Sequence, residues 1–159
     1  MHPIEHARTK PDHPAVIMAG SGQTMTYAEL DAAANRFARA LRSRGLREGD
    51  AFAVLLENRP EYFELLWGSQ RAGTLLVPIS TRLTAPEIAY ICNDSAARLL
   101  VTSPAFADIT EQLRRLCPDM EVLCVDGEGS EDYRAELDRH SADMLEDPAP
   151  GLNMLYSSG

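Results

Sequence analysis

The sequence predicts an α/β fold, a mostly parallel sheet flanked by helices. Three observations carry it. Short apolar runs of four to six residues recur along the chain. Between them lie segments whose apolar residues repeat at helical spacing, and the connections are too short for anything but alternating strands and helices. Helix-start signals stand at the right places, most clearly at Thr26 and Thr84.

Residues 1–14 carry Pro3, Pro11 and Pro14 among polar residues and read as an extended lead-in, with room for a short helix near Ile4. Ala15–Ala19 reads as a strand, Gly20-Ser21-Gly22 as its turn, and Gln23-Thr24-Met25 as a short returning partner. Thr26-Tyr27-Ala28-Glu29 is a capping box. The helix it opens places Tyr27, Leu30, Ala34, Phe37, Ala38 and Leu41 on one face and ends at Gly45. Arg36, Arg39, Arg42 and Arg44 mostly point away and are read as solvated surface in preference to a polyphosphate-binding face.

Ala51–Leu56 is apolar throughout, as a strand covered on both faces should be. A helix starts near Pro60 or Glu61. Its Tyr62, Phe63, Leu65, Leu66 and Trp67 are expected to be largely buried core residues. Thr74–Ile79 is the next strand, Thr84-Ala85-Pro86-Glu87 a second capping box, and Ile88, Ile91 and Cys92 the stripe behind it. Arg98–Thr102 and Glu121–Val125 are strands on either side of an amphipathic helix marked by Phe106, Ile109, Leu113 and Leu116. Residues 119–150 hold eleven carboxylates against two arginines. Within them, 126–150 reads as a solvated acidic connector with a short helix around Tyr133 and Leu137. No calcium-loop spacing is present. Residues 15–150 thus form the α/β unit. Residues 151–159 form a last strand running into small residues, as if a functional turn were cut off; the expectation is a segment of a larger protein.

The chain has 159 residues, 45% hydrophobic and 25% charged, with a net charge of −9. That describes a globular protein and argues against general nucleic-acid binding, which wants a basic surface. No stretch suits a transmembrane helix, and the first residues lack the apolar core of a signal peptide, so a cytoplasmic location is expected. Cys92, Cys117 and Cys124 are read as free thiols, and His2, His6, His13 and His140 as surface residues. No metal-ligand set and no nucleophile–base pair can be assembled. The missing G-x-G-x-x-G after the first strand disfavours a nicotinamide site. Leu155-Tyr156-Ser157-Ser158-Gly159, taken alone, is a weak hint of hydroxyls and turn amides that could donate to phosphate.

Several segments together resemble the adenylate-forming superfamily of acyl-CoA synthetases, peptide-synthetase adenylation domains and luciferases. Thr26-Tyr27-Ala28-Glu29-Leu30 with Ala34-Asn35-Arg36 looks like its “T-Y-x-E-L … A-N-R-x-A” segment. Gly45-Leu46 and Gly49-Asp50 before Val54 look like “G-x-x-x-G-D-x-V”, and Asn58, Pro60 and Glu61 like the residues before its buried helix. Ala72-Gly73 and Val77-Pro78-Ile79-Ser80-Thr81-Arg82-Leu83 look like “G-A-x-x-x-P-x-N-x-R-L”, with Ser80 in place of the usual Asn; Glu87-Ile88 and Asp94-Ser95 continue the match. Tyr156-Ser157-Ser158-Gly159 looks like the start of “Y-T-S-G-T-T-G-x-P-K-G”, the phosphate-binding loop.

The resemblance implies the N-terminal subdomain of that family's large domain. It implies a parent enzyme that joins a carboxylic acid, most like a fatty acid, to ATP as acyl-adenylate and then to coenzyme A, with Mg²⁺ assisting. Ser157, Ser158 and Gly159 are the implied ATP-contacting residues. No catalytic or metal-binding residue is assigned to this chain, and the 159 residues alone are expected to form no thioester. A homodimer is compatible with the resemblance. Two alternatives stay open: an aryl- or amino-acid adenylating enzyme loading a carrier thiol, and a non-enzymatic flavodoxin-like interaction module.

Overall fold

The computed structural model describes residues 3–157. Its centre is a five-stranded, all-parallel sheet of β3 (Ala51–Leu55), β4 (Leu75–Pro78), β5 (Leu99–Thr102), β6 (Glu121–Cys124) and β7 (Leu152–Asn153), in the order β6-β5-β3-β4-β7. β3 is the middle strand and is buried at every residue. Its alternate side chains serve opposite layers, because successive strand residues point to opposite faces. Phe52 and Val54 join Phe37, Leu41 and Leu65 of helices α2 (Tyr27–Ser43) and α3 (Glu61–Ala72). Ala51, Ala53 and Leu55 join Ile88, Cys92 and Leu113 of α4 (Ala85–Asp94) and α5 (Ala107–Leu116).

The capping box at Thr26 is made in full. The Glu29 amide donates to Thr26 Oγ1 at 3.2 Å, and the Thr26 amide donates to Glu29 Oε2 at 2.8 Å. α2 ends in a Schellman pattern: Leu46 N–H reaches Leu41 O and Gly45 N–H reaches Arg42 O. Gly45 takes the required positive φ of 78°. At Thr84 the Glu87 carboxylate accepts both the backbone N–H and the hydroxyl, at 2.8 and 2.7 Å.

The elements before α2 fill in the sequence reading, and three expectations further on need correction. The strand near Ala15 and its returning partner form the expected hairpin: β1 (Pro14–Ile17) pairs with β2 (Thr24–Thr26) in an antiparallel sheet separate from the main one. A hairpin satisfies itself locally, whereas each main-sheet strand is reached by a crossover. Within the lead-in the short helix near Ile4 is present: Pro3–Thr9 forms helix α1, which packs on α2 and brings the His6 ring to 4.8 Å from that of Tyr27.

α3 does not simply bury its apolar arc. Phe63 is 38% exposed, while Glu61, Glu64 and Arg71 are buried. They are tolerated because each is paired. Arg71 donates to Asp31 Oδ1 and Asn35 Oδ1 of α2, both at 2.6 Å. Glu64 accepts from Tyr133 and Arg134 of α6 (Tyr133–Asp138).

The α2 arginines are not free solvated surface but partly exposed and tied to the acidic connector, which is not solvated as a whole. Arg39 donates to the Asp143 and Met144 carbonyls, both at 2.9 Å, and Arg36 pairs with Asp138. Arg44 pairs with Glu121 and Glu136. Under these bonds Leu145, Leu137 and Tyr133 sink into the core.

Candidate functional site

All five main strands point the same way, so their C-terminal ends share one edge. In open α/β sheets that edge is where ligands bind. The described residues place two groupings there.

The first lies at the ends of β3, β5 and β6. Ser103 donates to Glu57 Oε2 at 2.5 Å. Arg59 donates to Glu57, Glu61 and Asp126 at 3.1, 2.8 and 2.7 Å, so all its donor nitrogens are engaged. Asp126 is held at a positive φ of 60°, an uncommon conformation for a residue with a side chain. This guanidinium is neutralised by three carboxylates. It ties the ends of β3 and β6 together, with Ser103 after β5 joined through Glu57, and offers no attraction to an anion.

The second grouping lies at the ends of β4 and β7. The chain after Pro148 threads along Gly73 and Thr74. Gly151 N–H donates to Gln70 O, Leu152 N–H to Thr74 O, and Met154 N–H to Leu76 O at 2.9 Å. Gly151 is required there by space alone: a Cβ would lie 2.2 Å from Ser69 O and 2.7 Å from Thr74 O. Beyond β7 the side chains alternate. Leu155 is 74% exposed, whereas Met154 and Tyr156 pack onto the α4–α5 layer.

Tyr156 and Ser157 then meet the first half of α4 and the loop after β4 around a groove of about 550 Å³. Leu83, Pro86, Tyr90, Ile91 and Tyr156 form its apolar wall, and Ser80, Glu87 and Ser157 its polar rim. The Tyr156 hydroxyl donates to Asp94 Oδ2 at 2.6 Å. That bond, reinforced by partial burial, pushes the phenol up to about 12, so it stays a donor at any physiological pH. Glu87 is held below the ordinary carboxylate range by its bonds to the Thr84 hydroxyl and amide.

Of the three residues the sequence singled out, Ser157 is exposed at the rim of this groove, at the C-terminal edge of the sheet. Ser158 and Gly159 lie outside the described residues. Sequence reasoning missed the groove and the Tyr156–Asp94 bond, which joins residues 62 positions apart. The only signal was that Asp94 and Tyr156 both fell in segments carrying the family resemblance. Among the described residues, no grouping of three or more His, Cys, Asp or Glu side chains could hold a metal ion. No helix among them is long and apolar enough to cross a membrane.

The groove at this edge is largely apolar, with the Ser80 and Ser157 hydroxyls and the Glu87 carboxylate as its polar groups.

The chain is similar to proteins of one family. A family model described as “AMP-binding enzyme” matches residues 4–159. The fatty acid–[acyl-carrier-protein] ligase ScoC of Streptomyces coeruleorubidus is 37% identical over 155 residues, 97% of this chain and 29% of that protein. A feruloyl-CoA synthase of Amycolatopsis is 38% identical over 111 residues, 70% of this chain and 22% of that protein. The solved structure of a Mycobacterium tuberculosis fatty acyl CoA synthetase superposes with a TM-score of 0.84 at 28% identity, over 98% of this chain and 32% of that one. The chain thus spans about a third or less of the relatives it matches.

Proposed function

The chain belongs to the AMP-binding enzyme family, and on that premise we propose that it is the N-terminal portion of an AMP-forming acid–thiol ligase. In the proposed reaction a carboxylate attacks the α-phosphorus of ATP, giving acyl-adenylate and releasing pyrophosphate. A thiol then attacks the acyl carbon, giving the thioester and AMP. The observation that supports this most is the delivery of Tyr156-Ser157 by β7 to the C-terminal edge of a parallel sheet, beside an apolar groove.

The residues proposed to face ATP are Ser157, Ser158 and Gly159. Hydroxyls and amides of small residues suit phosphate oxygens, which only accept hydrogen bonds, and small side chains let the backbone approach. ATP supplies the activated phosphorus and the pyrophosphate leaving group. The role of Ser157 is to bind and orient the phosphates, with its amide and hydroxyl donating. Mg²⁺ is proposed to accompany ATP, with its protein ligands contributed from outside this chain.

A fatty acid is the proposed substrate, supported by the 37% identity to ScoC. Coenzyme A is the proposed acceptor. Because that relative is named for an acyl-carrier-protein acceptor, a carrier thiol is the second reading. An aryl acid is the competing substrate, supported by the identity to a feruloyl-CoA synthase.

The test is ATP–pyrophosphate exchange by the full-length protein across fatty, aryl and amino acids, followed by thioester formation with coenzyme A or a carrier protein. Exchange dependent on fatty acids, with coenzyme A as acceptor, is the expected result. Exchange with aryl acids alone would replace the substrate assignment, and no exchange with any carboxylate would overturn the activity.

A further inference from the structure

The segment leading to Ser157 is fastened at two depths. As far as Met154 it is held by the sheet, through backbone bonds to Thr74 and Leu76. Past Met154, among the described residues, the fastening passes to side chains: Met154 and Tyr156 pack on the α4–α5 layer, and Tyr156 Oη donates to Asp94 Oδ2 at 2.6 Å. Asp94 is the last residue of α4, so its own backbone is fixed by that helix. The helix in turn is anchored through Ile88, Ala89 and Cys92 in the core against β3 and β4. The Tyr156 ring also packs at the margin of that core, where it is partly buried. Its phenol is raised by the bond to Asp94 and remains protonated as the donor.

We propose that Asp94, acting through the Tyr156 hydroxyl, is a positioning residue that sets where Ser157 meets ATP. The inference rests on the proposed function, because it assigns a task to Ser157. A charge-assisted bond at 2.6 Å between a rigid helix end and the residue before Ser157 fixes the direction in which the chain leaves the sheet. Misplacement of binding groups by about 1 Å is costly when a ligand must be held in one geometry. Losing the bond should therefore weaken the grip on ATP and leave the carboxylate site alone.

The test uses the full-length protein with Tyr156→Phe, Asp94→Ala, Asp94→Asn and the double variant Tyr156→Phe/Asp94→Ala. The readouts are KM for ATP and for the carboxylate in pyrophosphate exchange, together with hydrogen–deuterium exchange of the 154–157 amides without ATP. Tyr156→Phe and Asp94→Ala should each raise KM for ATP by about tenfold, the loss expected for one hydrogen bond to a charged group at a partly exposed site. KM for the carboxylate should move less than about twofold. The double variant should be no worse than the worse single one, because both remove the same bond. Asp94→Asn keeps an acceptor oxygen and should recover most of the affinity. The 154–157 amides should exchange faster in Tyr156→Phe than in wild type.

Unchanged KM for ATP and unchanged amide exchange in Tyr156→Phe would overturn the inference, as would additive effects or a shift confined to the carboxylate. Tyr156→Phe removes a single oxygen atom, so it carries the test even where Asp94→Ala fails to fold. A wild-type protein without pyrophosphate exchange would overturn the functional reading itself. A wild-type protein that exchanges, with variants like it, would overturn only the role given to Asp94.

Discussion

Tyr133 donates its hydroxyl to Glu64 Oε2 at 2.9 Å, across a sequence separation of 69 residues, with the phenol ring fully buried and the carboxylate 1% exposed. Arg134, the next residue, closes on both Glu64 oxygens at 2.9 Å and on Glu61 at 3.0 Å. This contact turns a stretch rich in carboxylates into a docked element. The helix carrying Tyr133 brings the arginine that pairs with Glu64 and shares Glu61 with Arg59. The same pair also seals the core layer where Phe37 and Tyr133 approach to 5.9 Å.

Arg134→Met should destabilise the chain by about 2–4 kcal/mol, because it strands a carboxylate that burial already disfavours. Burial, outweighing Arg134 and Tyr133, holds Glu64 above its ordinary value. A raised carboxylate leaves stability intact below its unfolded value and removes it as pH rises through the folded one. Wild type should therefore lose stability relative to Glu64→Gln as pH climbs from about 4 toward neutrality. Adding Glu64→Gln to Arg134→Met should recover more than half of the loss. Urea unfolding of the four proteins at several pH values checks this; an Arg134→Met loss that Glu64→Gln leaves untouched would contradict it.

The sequence could show α2, β3 and both threonine caps because their signals are local: a helical apolar repeat, an unbroken apolar run, a Thr three residues before a Glu. It could not show that α3 buries charge, because the partners of Glu64 and Arg71 lie 69–70 and 36–40 residues away. Nor could it show that Arg39 holds residues over a hundred positions downstream through their carbonyls, which carry no side-chain signature. The β1 hairpin was legible as a hairpin, but its exclusion from the main sheet is a tertiary fact. At the candidate site the sequence named Ser80, Leu83, Glu87, Tyr156 and Ser157 through family motifs, without showing that they meet. The groove beside Ser157 is built from α4 and the chain after β7, whose meeting no local pattern encodes.

Gly151→Ala should cost about 3 kcal/mol or displace β7 outright, since the added methyl would overlap two backbone carbonyls that cannot yield like a flexible side chain. Gly20→Ala is the control: nothing lies within 4 Å of its Cβ position, and it should be near neutral. Thermal unfolding gives the costs. Faster amide exchange at Leu152 and Met154 would show that the lost contact is the β4–β7 pairing.

Arg39→Ala should release the connector rather than unfold the sheet. Its two carbonyl bonds hold the backbone just before Leu145, which is 7% exposed. Limited proteolysis should then cut within 139–147 well before it cuts wild type. Arg39→Lys should behave almost like Ala, because a point-like ammonium does not reproduce the two-pronged geometry of a guanidinium. Salt should change little, since carbonyl acceptors carry no net charge to screen. Wild-type cutting in Arg39→Ala would mean that Leu145 and Leu137 hold the connector unaided.

The cap of α2 should give a pH signature opposite to that of Glu64. The backbone and hydroxyl bonds from Thr26 hold Glu29 below its ordinary value. A depressed carboxylate contributes stability above its unfolded value and loses it as pH falls through the folded one. Glu29→Gln retains an acceptor oxygen but cannot ionise. It should be less stable than wild type at pH 7, with the gap closing as pH falls below about 4. Thr26→Ala removes the other half of the box and should cost about 1 kcal/mol. Because the two halves share one interaction, the double variant should fall short of the sum at pH 7. Urea unfolding between pH 3 and 7 resolves both effects. A Glu29→Gln gap that does not change with pH would show that the charge of this carboxylate contributes nothing to the cap.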